Sequence, residues 1–288
     1  MGISTSLGPI REVDLPGGRI RYHDTGSGSP VVFVHGLLVN ADLWRKVVPE
    51  VAAAGHRCLT PDWPFGSHSV PMPDADLSPT GAADLISAFL RELDLSDVTL
   101  VANDTGGAIT QIMLSRDHSR VGRVVFTNCD AYEKFFPQPF TLLPTLARVP
   151  GLLDTILQGL RFRPAQRLPL AFGLVTKRPM PPQIADSYLV PSRTSGPIRA
   201  DLRRFLRGIH KRHTMAAARS FPSIDLPVLL AWAPEDKVFR IDFARRLAGD
   251  FPDATLRTID NSLTFIAEDQ PELLSEMIVE FTRLHATP

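Results

Sequence analysis

Short apolar runs alternate along most of the chain with segments whose apolar positions follow helical spacing. A run that is apolar at every position is typical of a strand buried on both faces of a parallel sheet. The predicted strands are Gly18 to Tyr22, Val31 to Val34, His56 to Thr60, Val98 to Ala102, Val121 to Asn128, Val228 to Trp232 and Ala254 to Ile259.

The segments between these strands carry the predicted helices. One helix is predicted from about Asp42, with Trp44 on its apolar face, and Gly55 ends it as a C-cap residue. Ser78 and Pro79 are an N-cap and first-turn pair for the next helix. The alternation predicts an α/β fold with a mostly parallel central sheet and helices on both faces. Further helices are predicted from Gly106 or Gly107, from about Asp242 to Ala248, and from Pro271 to about Leu284.

The alternation of strands and helices stops between residues 132 and 221. Proline is dense there, and helical spacing such as Ile198, Leu202, Phe205 and Ile209 replaces the strand pattern. We therefore predict that residues 132–221 form a helical cap inserted after the sixth strand. Residues 1–131 and 222–288 then form the core.

Charge follows the same division. The formal net charge of the chain is zero, yet residues 131–220 contain 15 Lys and Arg against 4 Asp and Glu. Two interpretations are open: the basic segment is attracted to the acidic remainder and seats on it, which we favour, or it draws in an anionic substrate. No nucleic-acid-binding motif accompanies the charges, so we predict no nucleic-acid partner.

Composition narrows the class of protein further. With 288 residues, 44% of them hydrophobic and 22% charged, the chain is predicted to be globular. Cys58 and Cys129 lie in strand-like contexts without metal-ligand spacing, so no metal or cofactor is predicted. The sequence shows neither a secretory signal nor an apolar stretch of spanning length, and we expect a cytoplasmic protein; its oligomeric state is left open.

One turn carries the candidate chemistry. In Val101-Ala102-Asn103-Asp104-Thr105-Gly106-Gly107, a strand runs into a sharp turn and then a helix, with Asp104 at the apex. Such a turn needs small neighbours two positions to either side, and Ala102 and Gly106 supply them. A carboxylate at the apex can attack an alkyl carbon and form an ester. The alternative is an ordinary polar turn.

These features together resemble the α/β-hydrolase fold, and Asp104 makes the chain most similar to the haloalkane dehalogenase and epoxide hydrolase branch. The resemblance rests on His35-Gly36 after the third strand, the turn at Asp104, Asp236 after the Val228 strand, and Glu268-Asp269-Gln270-Pro271 before the last helix. It covers nearly the whole chain from Gly18 but is loose in the cap. It implies an oxyanion hole made by the backbone N–H groups of Leu37 and Thr105.

The resemblance also implies a supporting acid and a binding pocket. The acid position after the seventh strand is Asp236, and Asp130, after the sixth strand, is the rival. We prefer Asp236. The candidate binding residues come from the His-Gly loop, the turn and a cap tyrosine: His35, Gly36, Asn103 and Tyr188. Of these, His35 is expected to hold the loop rather than carry protons.

The expected base is where the chain departs from the family. The position of the catalytic histidine falls on Thr264, whose hydroxyl cannot take a proton from water as imidazole does. Thr105 likewise replaces the tryptophan that holds halide in dehalogenases. The candidates for a substitute base are His210 and His213, which are spaced i, i+3 on the predicted basic helix.

Three functions are compatible with this pattern. The first is a hydrolase-like enzyme that acts through Asp104 on a small to medium apolar substrate of the alkyl halide, epoxide or ester type. The second is a non-hydrolytic enzyme that uses Asp104 as a general base for isomerisation, elimination or cyclisation. The third is an inactive homologue that only binds a ligand.

Overall fold

The computed structural model describes residues 3–286, and its centre is an eight-stranded sheet in the order β1-β2-β4-β3-β5-β6-β7-β8. Strands β1, β2 and β4 pair antiparallel, and all pairs from β4 through β3 to β8 are parallel. The strands are β1 (Ile10–Leu15), β2 (Gly18–Thr25), β3 (Ser29–Val34), β4 (His56–Pro61), β5 (Val98–Asp104), β6 (Val121–Cys129), β7 (Val228–Trp232) and β8 (Ala254–Thr258). The predicted α/β fold with a mostly parallel sheet is confirmed.

Twelve α-helices and several short 3-10 turns connect or flank the strands of residues 3–286. The helices are α1 (Val48–Ala53), α2 (Pro79–Glu92), α3 (Thr105–Leu114), α4 (Leu143–Leu146), α5 (Leu152–Gly159), α6 (Arg163–Gln166), α7 (Pro182–Thr194), α8 (Gly196–Gly208), α9 (Lys211–Ala218), α10 (Ile241–Asp250), α11 (Ile266–Asp269) and α12 (Pro271–Leu284). The 3-10 turns span Thr5–Leu7, Ala41–Trp44, Phe140–Leu142 and Phe221–Ser223.

Two local predictions needed correction. The strand Ile10–Leu15 was missed because its solvent-facing edge position leaves most of it exposed, so it lacks an apolar run. The helix predicted from Asp42 is divided into the 3-10 turn Ala41–Trp44 and helix α1. Pro49, in the first turn of α1, has no N–H to continue a ladder from the preceding turn, so a new helix begins there.

The sheet brings the ends of β3, β5, β6 and β7 together at one edge. These strands are neighbours and parallel, and their last residues are buried except for Asp104 at the end of β5, which is partly exposed. The loops that follow them therefore converge, which is where ligands bind in open α/β sheets. His35, Asp104, Asp130 and Asp236 all come within a few residues of these four strand ends.

Residues 132–221, which we name the cap segment, contain helices α4 to α9 and no strand. Hydrogen bonds join the segment to the core, several of them accepted by buried carboxylates. Asp201 accepts hydrogen bonds from the His68 ring and the backbone N–H of Met72 at 3.1 and 2.8 Å. In residues 3–286, Lys177 to Glu235 is the sole ion pair between a cap-segment cation and a core acid. Ion pairs with core acids therefore neutralise little of the cap segment's positive charge.

The part of the chain that the structure describes contains no helix long and apolar enough to cross a bilayer. Cys58 and Cys129 are free and buried.

Candidate active site

Asp104 lies at a strained turn between β5 and α3. Its φ and ψ are 54° and −132°, a conformation that non-glycine residues seldom adopt. The turn closes because its neighbours have no side chain: a Cβ on Gly36 would lie 2.1 Å from Asp104 Oδ2. A Cβ on Gly106 would lie 2.5 Å from the carbonyl oxygens of Val34 and His35. Both glycines are thus required for the Asp104 carboxylate to project from the sheet edge.

The two backbone N–H groups expected to form an oxyanion hole face this carboxylate. The pKa of the Asp104 carboxyl is raised from 3.8 to about 7, mainly by burial and in smaller part by the nearby charge of Asp236. Hydrogen bonds from the backbone N–H groups of Thr105 and Leu37 act in the opposite direction. A carboxyl with this pKa exchanges its proton near neutral pH, as a general base must.

Asp236 and Thr264 form a buried pair beside the turn. The Thr264 hydroxyl donates to Asp236 Oδ2 at 2.7 Å, and Asn128 Nδ2 donates to the same oxygen at 3.0 Å. The other oxygen accepts from the backbone N–H groups of Val238 and Phe239 at 2.7 and 3.1 Å. Burial raises the pKa of Asp236 to about 6 despite these donors. Asp236 thus contacts the threonine at the expected base position.

Asp130 occupies a different place. Its side chain is buried, neither carboxyl oxygen has a hydrogen-bond partner among the described residues, and the Thr105 hydroxyl faces the carboxyl without closing a bond. Burial raises the pKa of Asp130 well above its usual value, and the Asp104 charge adds to this. The Asp130 carboxyl therefore senses the Asp104 charge but makes no hydrogen bond to Asp236 or Thr264.

An apolar cavity of about 90 Å³ opens over Asp104. This is room for several heavy atoms, since one water needs about 10–15 Å³ on the same measure. Asp104 is the only charged residue among those that line it, and no histidine or tyrosine is present. The lining residues are Leu37, Leu38, Asp104, Thr105, Phe136, Pro137, Phe140, Leu143, Leu153, Ile156, Leu157, Leu160, Leu170, Ala171, Phe172, Val175, Leu189, Leu206, Phe239 and Phe265.

None of the four predicted binding residues, His35, Gly36, Asn103 and Tyr188, lines this cavity. The buried His35 ring hydrogen-bonds the Gly36 carbonyl at 2.9 Å and accepts from the Trp63 backbone N–H at 2.9 Å, so it holds the loop. Burial lowers the pKa of His35 to about 3, which keeps its ring neutral. Asn103 donates to carbonyls of Asn128 and Thr264 behind the turn.

Tyr188, the candidate cap donor, is fully buried and does not reach the cavity. Its ring packs against Phe172 with centroids 6.1 Å apart, and burial raises its pKa well above the usual value. The structure thus places Tyr188 outside the cavity lining. On helix α7 neighbouring side chains point in different directions, so Leu189 lines the cavity while Tyr188, one residue earlier, does not.

His210 and His213, the candidates for a substitute base, do not lie on the predicted helix. Helix α8 ends at Gly208, and His210 instead caps the start of α9, its Nδ1 accepting from the backbone N–H of Arg212 at 3.1 Å. His213 contacts the Arg212 side chain near the surface. The two histidines thus do not share one face of the basic helix, because the chain turns at Ile209, and neither lines the cavity.

Asn128 is a site residue that the sequence analysis overlooked. Its amide donates to Asp236 and its oxygen accepts from the Ala233 backbone N–H at 2.7 Å, so it joins the ends of β6 and β7. A buried polar residue at the end of an apolar strand was the available signal. Within residues 3–286, no group of three or more His, Cys, Asp or Glu side chains is arranged to hold a metal ion.

A family model described as alpha/beta hydrolase fold matches residues 29–271, which include strands β3 to β8. The chain belongs to the alpha/beta hydrolase fold family. The sharp turn at Asp104, the loop after β3 and the loop after β7 all fall within the matched region.

Curated relatives of this family member have several activities. A cis-3-alkyl-4-alkyloxetan-2-one decarboxylase from Shewanella oneidensis is 26% identical over 277 residues, covering 92% of this chain and 85% of that protein. A haloalkane dehalogenase from Psychrobacter cryohalolentis is 34% identical over 38% of this chain and 37% of its own length. A non-heme chloroperoxidase from Kitasatospora aureofaciens is 44% identical over 32% of this chain and 33% of its own length. The last two matches thus span only about a third of each relative.

Solved structures share the fold over almost the whole chain. The haloalkane dehalogenase DatA from Agrobacterium tumefaciens superposes with a TM-score of 0.81 and 22% identity, covering 98% of this chain and 99% of that one. At this identity the likeness establishes the fold, and the chemistry must be argued from the site.

Proposed function

We propose that this protein is an enzyme that acts on a small apolar organic molecule in the cavity, with Asp104 as a general base for a non-hydrolytic proton transfer. The observation that carries the proposal is the hydrogen bond from Thr264 to Asp236 at 2.7 Å, in the place where the family resemblance expects a histidine. A hydroxyl held there cannot activate water, so hydrolysis of an ester intermediate lacks its base.

The cavity supports this chemistry in two ways. Its apolar walls keep water away from the carboxylate, which raises the pKa of Asp104 to about 7 and makes it a stronger base than an exposed aspartate. The Leu37 and Thr105 N–H groups hold the carboxylate in one orientation. A relative that matches 92% of the chain is named as a decarboxylase rather than a hydrolase, which favours a non-hydrolytic reaction in this branch.

A second candidate is covalent attack by Asp104, as the dehalogenase relatives suggest. It is favoured by the same two N–H groups, because in that reaction they stabilise the oxyanion formed at the aspartyl ester. Without a base, the ester is expected to accumulate. Replacing Thr264→His would place an imidazole beside Asp236 and is expected to release the ester.

Two probes separate these functions. A nitrobenzisoxazole is an apolar carbon acid whose ring opens when a base removes its proton, and the opening is followed by absorbance. Alkyl bromides, epoxides and β-lactones test covalent attack by intact mass. General-base catalysis predicts benzisoxazole turnover that rises with pH through about 7 and no lasting mass increase.

Other results of these two experiments would change the proposed function. A stable mass increase located on Asp104 replaces the proton-transfer function with arrested alkylation. Turnover of the alkylating probes without any increase would reveal a water-activating base and restore the hydrolase. Neither turnover nor labelling, together with saturable binding of the probes, would identify the protein as a ligand-binding homologue.

A further inference from the structure

A second pocket in the cap segment adjoins the apolar cavity. It encloses about 360 Å³ and presents four cationic side chains: Arg163, Arg167, Lys177 and Arg178. Phe172 lines both this pocket and the cavity over Asp104, so the two spaces meet at its ring. Residues of one short stretch divide between them, because Val175 faces the cavity and Thr176 faces the cationic pocket.

The charges of this pocket are only half balanced. Arg163 pairs with Asp186, and Lys177 pairs with Glu235. Neither Arg167 nor Arg178 makes a side-chain hydrogen bond or ion pair with any residue in the range 3–286, and both are exposed. Two guanidinium groups are thus free to bind an anion at the end of an otherwise apolar site.

The loop that carries these cations is fixed to the core. Asp269 is fully buried and accepts hydrogen bonds from the backbone N–H groups of Lys177 and Arg178 and from the Thr176 hydroxyl, at 2.8 to 3.1 Å. The Phe265 N–H donates to the Val175 carbonyl at 2.7 Å. Because its charge is satisfied by this loop, Asp269 anchors the cationic pocket at a set position beside the cavity.

We propose that the substrate is amphipathic: its apolar part fills the cavity over Asp104, and an anionic head group, a carboxylate or a phosphate, binds Arg167 and Arg178 past the Phe172 ring. This rests on the proposed function, since it names the class of substrate for that site.

The test measures binding, so it does not depend on catalysis. Octanoate, octyl phosphate and octanol are titrated by calorimetry at low ionic strength. The two anions are expected to bind about tenfold more tightly than octanol, and to lose this advantage at about 1 M salt. Whichever anion binds more tightly identifies the head group. The Asp104→Asn protein should show the same preference, because binding of the head group does not need the base. If the natural protein showed this preference but no probe turnover, the proposed chemistry would be refuted and the proposed substrate class would stand.

A double variant and a matched control locate the effect. Arg167→Gln with Arg178→Gln should bind the anions about as weakly as octanol. Lys211→Gln with Arg219→Gln removes the same charge from exposed cap-segment positions that line neither pocket and should bind like the natural protein. Equal binding of octanoate and octanol, unchanged anion binding in the first variant, or equal loss in both variants would overturn the proposal.

Discussion

The two walls of the cavity are built in opposite ways. The core wall carries Asp104, whose carboxylate is held by backbone N–H groups, with Asp236 and Thr264 hydrogen-bonded behind it. The cap-segment wall, from Phe136 to Leu206, contributes only apolar residues to the lining. Under the proposed function, one wall supplies the chemistry and the other supplies the shape and apolar character of the cavity.

This division has a physical basis. Strand ends of a parallel sheet are rigid and place polar groups with accuracy, so reacting atoms are best located there. Helices joined by loops offer broad apolar surfaces that can change without disturbing the strand ends. Substitutions in the two walls should therefore have separable effects.

The largest effect is expected at the core wall. Asp104→Asn should reduce benzisoxazole turnover by about a hundredfold to ten-thousandfold, because the amide cannot accept the proton. Steady-state rates at matched enzyme concentration measure this. Asp84→Asn makes the same chemical change at an exposed position and should retain full activity. Equal activity of both variants would exclude Asp104 as the base.

A change in the cap-segment wall should alter selectivity instead. Leu157 is fully buried and lines the cavity, so Leu157→Ala enlarges it. The ratio of kcat/KM for a probe carrying an extra ethyl group to that for the parent probe should rise about tenfold. The midpoint of the pH profile should not move. If the midpoint moved and the selectivity did not, the separation of the two walls would be refuted.

A smaller effect is expected from the acids behind Asp104. Asp236, whose pKa is about 6, is ionised as Asp104 titrates, and its charge raises the pKa of Asp104. Asp236→Asn should therefore move the midpoint of the pH–rate profile to lower pH. Asp130→Asn is the matched comparison: the buried, unpartnered Asp130 is expected to stay protonated, so the midpoint should stay in place. A downward move in Asp130→Asn would show that this acid is charged.

The smallest effect concerns stability. The pKa of Asp104 is raised to about 7 by folding, so the folded protein holds this proton more tightly than the unfolded chain does. Its contribution to stability is complete below about pH 4 and is lost as pH rises through about 7. Asp104→Asn should thus gain a few degrees in Tm relative to the natural protein between about pH 5 and about pH 8, measured by thermal unfolding. A constant difference across this range would contradict the raised pKa.

Much of the core was predictable because its signals are local. The seven predicted strands correspond to β2 to β8, and the small residues around Asp104 predicted the turn observed there. Strand β1 escaped detection because an exposed edge strand has no apolar run. The cap segment was predictable only as helical. Its histidines were placed on the wrong helix because the prediction overlooked Gly208, which ends α8, as a helix-ending signal.

The sequence by itself determined the fold family, the position of Asp104 at a strand end, and the threonine at residue 264, because each depends on residue types at short spacing. Only the tertiary structure decided that Asp236 rather than Asp130 contacts Thr264, that Tyr188 faces away from the cavity, and that Phe172 separates the apolar cavity from the cationic pocket. These contacts join residues tens of positions apart. They are set by how the loops after the strands meet one another and by how the cap segment packs on the sheet, and local periodicity carries no record of either.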